Sequence, residues 1–185
     1  LAIVISLLIA AFPVYWLFIM AFKSAAEIFA VPPVYFPSEF SLVTFRSFFR
    51  GDVKTVGNSL IVATASTVVT MILATMCAYS IVRFRTGGPR FAGWILSHRM
   101  LPPIVIVLPL FLTFSYFKVL DSYFSLTLVY VAFNLPFAIW MMRGYIEEIP
   151  AALEESALVD GCTRWQVLLY VVVPMARSGL AATTV

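Results

Sequence analysis

Residues 58–82 read NSLIVATASTVVTMILATMCAYSIV, a run without one charged side chain. At 1.5 Å per residue a helix needs about 20 predominantly apolar residues to cross the hydrocarbon core of a bilayer, and this run supplies them. Ala63, Thr64, Ala65, Ser66, Thr67 and Ala74 are small or β-branched. Small side chains let helix backbones approach closely, which is how membrane helices associate where lipid offers no hydrophobic contrast. The run reads as a membrane-spanning helix packed against others. Leu1–Phe22, Met100–Phe117 and Ser122–Met142 are further charge-free runs of about the same length.

Composition agrees with this reading. Hydrophobic residues make up 62% and charged residues 11% of the 185 residues, against roughly 45–50% and about 25% in soluble domains. Uninterrupted apolar runs in buried core helices rarely exceed about 10–14 residues, so a soluble all-helical core is excluded. Leu1–Phe22 lacks the basic start and small-residue cleavage site of a signal peptide, and other spans follow it, so it reads as a retained helix. The net charge of +3 is small, and its basic residues do not cluster as on a nucleic-acid-binding face. Cys77 and Cys162 are too few for a disulfide framework or a metal set. The chain starts without an initiator methionine inside an apolar run and stops at Val185 as another gathers. It reads as a piece of a longer subunit.

The expected order is a first transmembrane helix over 1–22, an extracytoplasmic loop over 23–57, and a core over 58–185. That core holds spans two to four, a cytoplasmic loop over 144–174 and the start of a fifth span. Pro32, Pro33 and Pro37 forbid a long helix in the first loop. Arg83-Phe84-Arg85-Thr86-Gly87-Gly88-Pro89-Arg90 is basic without an acid, and the positive-inside rule places it in the cytoplasm. Lys23, Arg46, Arg50 and Lys54 in the first loop weaken that charge contrast.

The third run carries Arg99 just ahead of Met100-Leu101-Pro102-Pro103. Tandem proline removes two backbone donors and bends or breaks a helix, which within a membrane survives only against protein or a water-filled cavity. Arg99, Pro102 and Pro103 are open to two readings: a translocation path or gate, or a structural kink with Arg99 snorkelling toward headgroups. Asn134, beside Pro136, is open to two as well, contact with a polar solute or capping of the carbonyl that Pro136 leaves free. The aromatics around the outer turn, Phe114, Tyr116, Phe117, Tyr123 and Phe124, fit an interfacial belt.

From Gly144 the composition changes, with Glu147, Glu148, Glu154, Glu155 and Asp160 close together. Pro150 suits a helix start and Gly161 a left-handed helix stop. Thr163 and Gln166 have the spacing of a capping box ahead of the apolar run Val167–Val173, which Pro174 is expected to break. The product is a helix, a glycine turn and a helix. Ser156, Ala157 and their small neighbours leave a face narrow enough to seat in a groove of another protein, although acidic residues near a helix start are also favourable by themselves.

Glu155-Ser156-Ala157, then Gly161, Val171 and Val173-Pro174 resemble the Glu-Ala-Ala…Gly…Ile-x-Leu-Pro loop of ABC importer permeases. Ser156 stands for the second alanine, and Val171 and Val173 for isoleucine and leucine, all with size or shape kept. The surrounding Ile149–Ala157 and Asp160-Gly161 are similar to the carbohydrate-uptake branch typified by the maltose and glycerol-phosphate permeases. Met100–Pro103 and Leu135–Trp140 also resemble family segments.

The resemblance implies an all-α polytopic bundle of the type I importer class, with four full spans here, the start of a fifth, and the remainder of the family's six outside this sequence. It implies a multi-pass subunit in a bacterial or archaeal cytoplasmic membrane, without catalytic residues, metal or cofactor of its own. A second homologous permease, two cytoplasmic ATPase subunits, an extracytoplasmic solute-binding protein and a sugar or sugar-like solute are the implied partners, beside the lipid bilayer. The implied ATPase-coupling loop holds Glu154, Glu155, Ser156, Ala157, Asp160, Gly161 and Pro174. The alternatives are an importer permease for a non-sugar solute and an ion-coupled carrier, although the latter normally needs mid-membrane acids that these spans lack. A membrane-embedded enzyme would need an ionisable or metal-binding cluster, and one His with one intramembrane Arg is too little.

Overall fold

The computed structural model describes residues 2–184, and the side chains of all of these except Ala2, Leu8, Thr44, Asp52 and Pro103. Every regular element among them is helical. The chain divides into two compact units, one up to Ser59 and one from Leu60.

In the first unit, α1 (Ala2–Met20) carries Pro13 without breaking. It ends two residues before the apolar run does, at a turn that leads to Lys23. The Lys23 ammonium is buried, donates to the Val34 carbonyl and sits 4.3 Å over the Trp16 ring. A short α2 (Ala25–Ile28) begins with a capping box between Ser24 and Glu27. The Ser38 N–H donates to the Glu27 carboxylate at 2.8 Å. That bond first, then the Ser38 hydroxyl and the Ser24 N–H, hold the Glu27 pKa down at about 2. Next, α3 (Val43–Ser47) continues through a π-helical turn, Phe48–Asp52, toward α4 (Val53–Phe84).

With 32 residues α4 is about 48 Å long, more than the roughly 30 Å of a hydrocarbon core. Its buried positions Val62, Ser66, Thr70, Ala74 and Ala78 recur every fourth residue and form one small-residue stripe. The chain then turns through the arginine-rich segment into α5 (Phe91–Ser97), a 3₁₀ turn at His98–Met100, and α6 (Pro103–Tyr116). The two arms bend by 86° at the tandem prolines, so the expected break is present. The Pro103 side chain lies outside the described atoms. By contrast α7 (Tyr123–Glu147) runs through Pro136 unbroken.

After α8 (Ala151–Val159), α9 (Arg164–Val167) passes through a π-helical turn, Leu168–Val172, into α10 (Val173–Met175), and α11 (Arg177–Thr184) follows. Pro174 does not break this helix, contrary to expectation. In the π turn the Val173 N–H already reaches back to Leu168, so the bond that proline lacks falls where the ladder has shifted register. The 71° bend comes two residues later, at Ala176.

The core of the second unit joins Ala74 and Ala78 of α4, Ala92 of α5, Met142 and Ile146 of α7, and Val167 and Val172. A Cβ placed on Gly179 of α11 would stand 2.3 Å from Cγ of Tyr145 in α7, so the absent side chain permits that approach. Large apolar side chains such as Leu60, Ile72, Ile104 and Leu112 point outward, as a bilayer-facing surface requires. Among the described residues three helices are long and apolar enough to cross a membrane, and the two bent pairs raise the number to five if each is one span.

Candidate functional site

The segment between α7 and α10 is built almost wholly from local signals. Pro150 is the N-cap of α8, with ψ 126°, so the chain arrives extended. The Ser156 hydroxyl donates to the Ala152 carbonyl at 2.8 Å and so costs the helix no free donor. At the other end Gly161 has φ +89°, the left-handed conformation in which a Cβ is strained. Its N–H donates to the Leu158 carbonyl at 3.1 Å and the Cys162 N–H to the Ala157 carbonyl at 3.0 Å, the two bonds of a Schellman stop. Thr163 and Gln166 then close the expected capping box, each side chain accepting from the other's N–H.

Glu155, Ser156, Asp160 and Gly161 are exposed, Ala157 is half-buried, and Pro174 is exposed. Leu153, Val159, Trp165 and Tyr170 are exposed too. Glu155 and Asp160 form no ion pair with any described residue. The outward surface of α8 and its C-cap thus offers two carboxylates free of ion pairs with described residues, among small and apolar side chains.

Glu154 differs from its neighbour. The resemblance places it with Glu155 and Asp160 in the implied coupling loop, but its carboxylate is turned inward and only 2% of the residue is exposed. Arg83 Nε donates to Oε1 at 2.6 Å, and the Tyr79 hydroxyl donates to Oε2 at 3.0 Å. Arg83 Nη2 also donates to the carbonyls of Ile149 at 2.7 Å and Ile146 at 3.2 Å. A buried carboxylate without such partners would be too costly to hold. No local pattern in the sequence links Arg83 or Tyr79 to a residue 71 and 75 positions away, respectively.

The residues considered for a path or gate fall elsewhere in the second unit. Arg99 lies on the 3₁₀ turn with its guanidinium 4.7 Å over the Phe137 ring. Asn134 makes no hydrogen bond to a described residue, so it does not cap the carbonyl freed by Pro136, and that reading falls. Its exposed amide instead lines a cavity of about 320 Å³ with Thr67, Thr70, Arg99, Phe137 and Thr183. Thr70 Oγ1 is buried there without a partner among the described residues. Pro102 shapes the bend but does not line this cavity.

Several helices that meet the length and apolarity of a membrane span, with an acidic helix and glycine turn between two of them, define a polytopic membrane protein. Residues 70–185 match the family of binding-protein-dependent transport system inner membrane components, and the chain belongs to that family. It is 36% identical over 94% of its length to the diacetylchitobiose uptake system permease protein DasC of Streptomyces coelicolor. It is 32% identical over 94% of its length to the trehalose transport system permease protein SugB of Mycobacterium tuberculosis. The chain spans 64% of the length of each of these relatives. In fold it is similar to a chain of a bacterial ABC transporter involved in the import of the acidic polysaccharide alginate, with a TM-score of 0.76 and 26% identity. That likeness covers 99% of this chain and 65% of the other.

Proposed function

We propose that the protein is a membrane-spanning subunit of an ATP-binding-cassette importer that carries a sugar or sugar-like solute across a bacterial or archaeal cytoplasmic membrane. A second homologous permease completes the pore, two cytoplasmic ATPase subunits hydrolyse ATP, and an extracytoplasmic binding protein delivers solute. Residues 23–57 face outward and the 144–174 segment faces the cytoplasm. Glu155, Ser156, Ala157, Asp160 and Gly161 form the surface that seats in the ATPase, with Pro174 behind it. The observation that carries this is the exposed α8, rigidly stopped at Gly161, with two free carboxylates on a narrow face. Such coupling requires that the two ATPase states contact α8 differently.

Support for a sugar comes from the relatives, whose names assign them diacetylchitobiose and trehalose. The cavity at Thr70, Arg99 and Asn134, beside the bend at Pro102 and Pro103, is proposed to lie on the solute path, since its unpaired hydroxyl and amide suit a hydroxyl-rich molecule. The test is uptake of labelled trehalose and diacetylchitobiose by cells expressing the full-length subunit with its transporter partners, with and without the ATPase. Uptake that needs the ATPase and survives collapse of ion gradients is expected. Uptake of either sugar without the ATPase would point to an ion-coupled carrier, and ATP-dependent uptake of non-sugar solutes alone would refute the sugar assignment.

A further inference from the structure

We infer that Arg83 is a positioning residue that fastens the α8 segment to the ends of α4 and α7, so that the three move as one body. This rests on the proposed docking of α8 to an ATPase. The geometry begins at the C-terminal end of α7, where carbonyls turn toward Arg83. Arg83 donates to the carbonyl of Ile146 in the last turn and to that of Ile149 two residues past the helix end, and its cation suits the negative end of the helix dipole. The same guanidinium holds Glu154, in the first turn of α8, where a carboxylate suits the positive end. Tyr79 lies four residues before Arg83, hence on the same face of α4, and grips the other carboxylate oxygen. Phe84, next in α4, receives the Arg164 guanidinium of α9 over its ring at 5.6 Å.

Most of α8 is exposed, apart from Glu154 and the half-buried Ala157 and Leu158. Against α4 it is therefore held by a polar clasp rather than by a broad apolar face. The helices that Arg83 joins also line the polar cavity, α4 through Thr67 and Thr70 and α7 through Asn134 and Phe137, beside Arg99 and Thr183 from other elements. A pull on α8 is transmitted through Arg83 to both of these helices.

The test uses the full-length subunit assembled with its partners in nanodiscs, with Cys77 and Cys162 replaced by alanine. Spin labels at Met76→Cys in α4 and Val159→Cys in α8 report their separation without nucleotide and with ATP and vanadate. In a second set, a cysteine at Asn134 is labelled with a water-soluble methanethiosulfonate in the same two states. The expected result is one narrow spin-label distance, equal in both states, and a labelling rate at Asn134→Cys that changes about tenfold between them. Arg83→Gln should broaden the distance and abolish the change in labelling while the ATPase subunits stay bound and ATP is still hydrolysed. Arg83→Lys, which keeps the charge but not the fork, should fall between the two. A distance that shifts between states in the unmodified protein, or an Arg83→Gln variant that behaves like it in both readouts, would overturn the inference. If the unmodified subunit holds no ATPase, the importer reading fails. The label distance in the subunit alone still tests the clasp, and its failure to broaden in Arg83→Gln would overturn it.

Discussion

Arg83 and Glu154, 71 residues apart in the chain, meet at 2.6 Å with most of both side chains withdrawn from solvent. The desolvation of such a pair offsets much of its Coulombic gain, so its presence is weak evidence of added stability. Its loss is another matter. Glu154→Leu leaves the Arg83 cation without its carboxylate, and breaking one side of a buried pair costs about 3–5 kcal/mol. Combining Arg83→Met with Glu154→Leu should cost less than either change alone. Equilibrium unfolding of the purified subunit and its three variants gives that coupling directly, and simple additivity would show that the pair does not act as a unit.

Gly161 offers a cleaner perturbation, because a Cβ there would meet nothing within 4 Å and only the backbone would object. Gly161→Val is expected to cost about 1–3 kcal/mol through strain at positive φ, and Gly161→Asn less, since asparagine visits that conformation more readily. Amide exchange should show the Cys162 N–H, bonded to Ala157 in the parent, losing protection in the valine variant. Equal protection in all three proteins would mean that the turn does not depend on glycine.

The α8 segment was legible because its signals are local. Pro150, Gly161 and the Thr163/Gln166 pair each act within one helical turn, and each appears where the residue pattern places it. The inward turn of Glu154 was not legible, because Glu154 and Glu155 are chemically identical neighbours distinguished only by the roughly 100° that one residue turns a helix. Which of them faces Arg83 depends on how α4 and α7 pack. Pro174 misled for a related reason. A proline suggests a break, but α7 passes Pro136 and α10 passes Pro174 without one, while the tandem Pro102 and Pro103 do bend the chain. Thr70 carries no signal in the sequence, because only packing leaves its hydroxyl buried without a partner among the described residues.

Thr70 also separates packing from transport. Replacing an unpaired buried hydroxyl by an apolar group of the same shape is neutral or stabilising, so Thr70→Val should unfold no more easily than the parent. If its hydroxyl serves the solute, uptake should nevertheless fall, and Asn134→Leu should lower it too. Unchanged uptake in both variants, at normal membrane abundance, would remove the cavity from the path.

Topology is checked with single cysteines in a background lacking Cys77 and Cys162. Thr86→Cys in the arginine-rich turn should react with an impermeant thiol reagent only from the cytoplasmic side, and Ser41→Cys only from the outside. Reaction of both from outside would reverse or break the proposed arrangement of spans.

The surface of α8 is where the proposed function stands or falls, and a photocrosslinker reads it most directly. p-Benzoylphenylalanine in place of Glu155, which is exposed on α8 and forms no ion pair with a described residue, is expected to form an adduct with the ATPase subunit in intact membranes. The same group in place of Phe124, exposed at the start of α7, is expected to form none. An ATPase adduct from position 124 but not 155, or none from 155 although the assembled complex transports normally, would contradict the docking of α8 and the coupling role built on it.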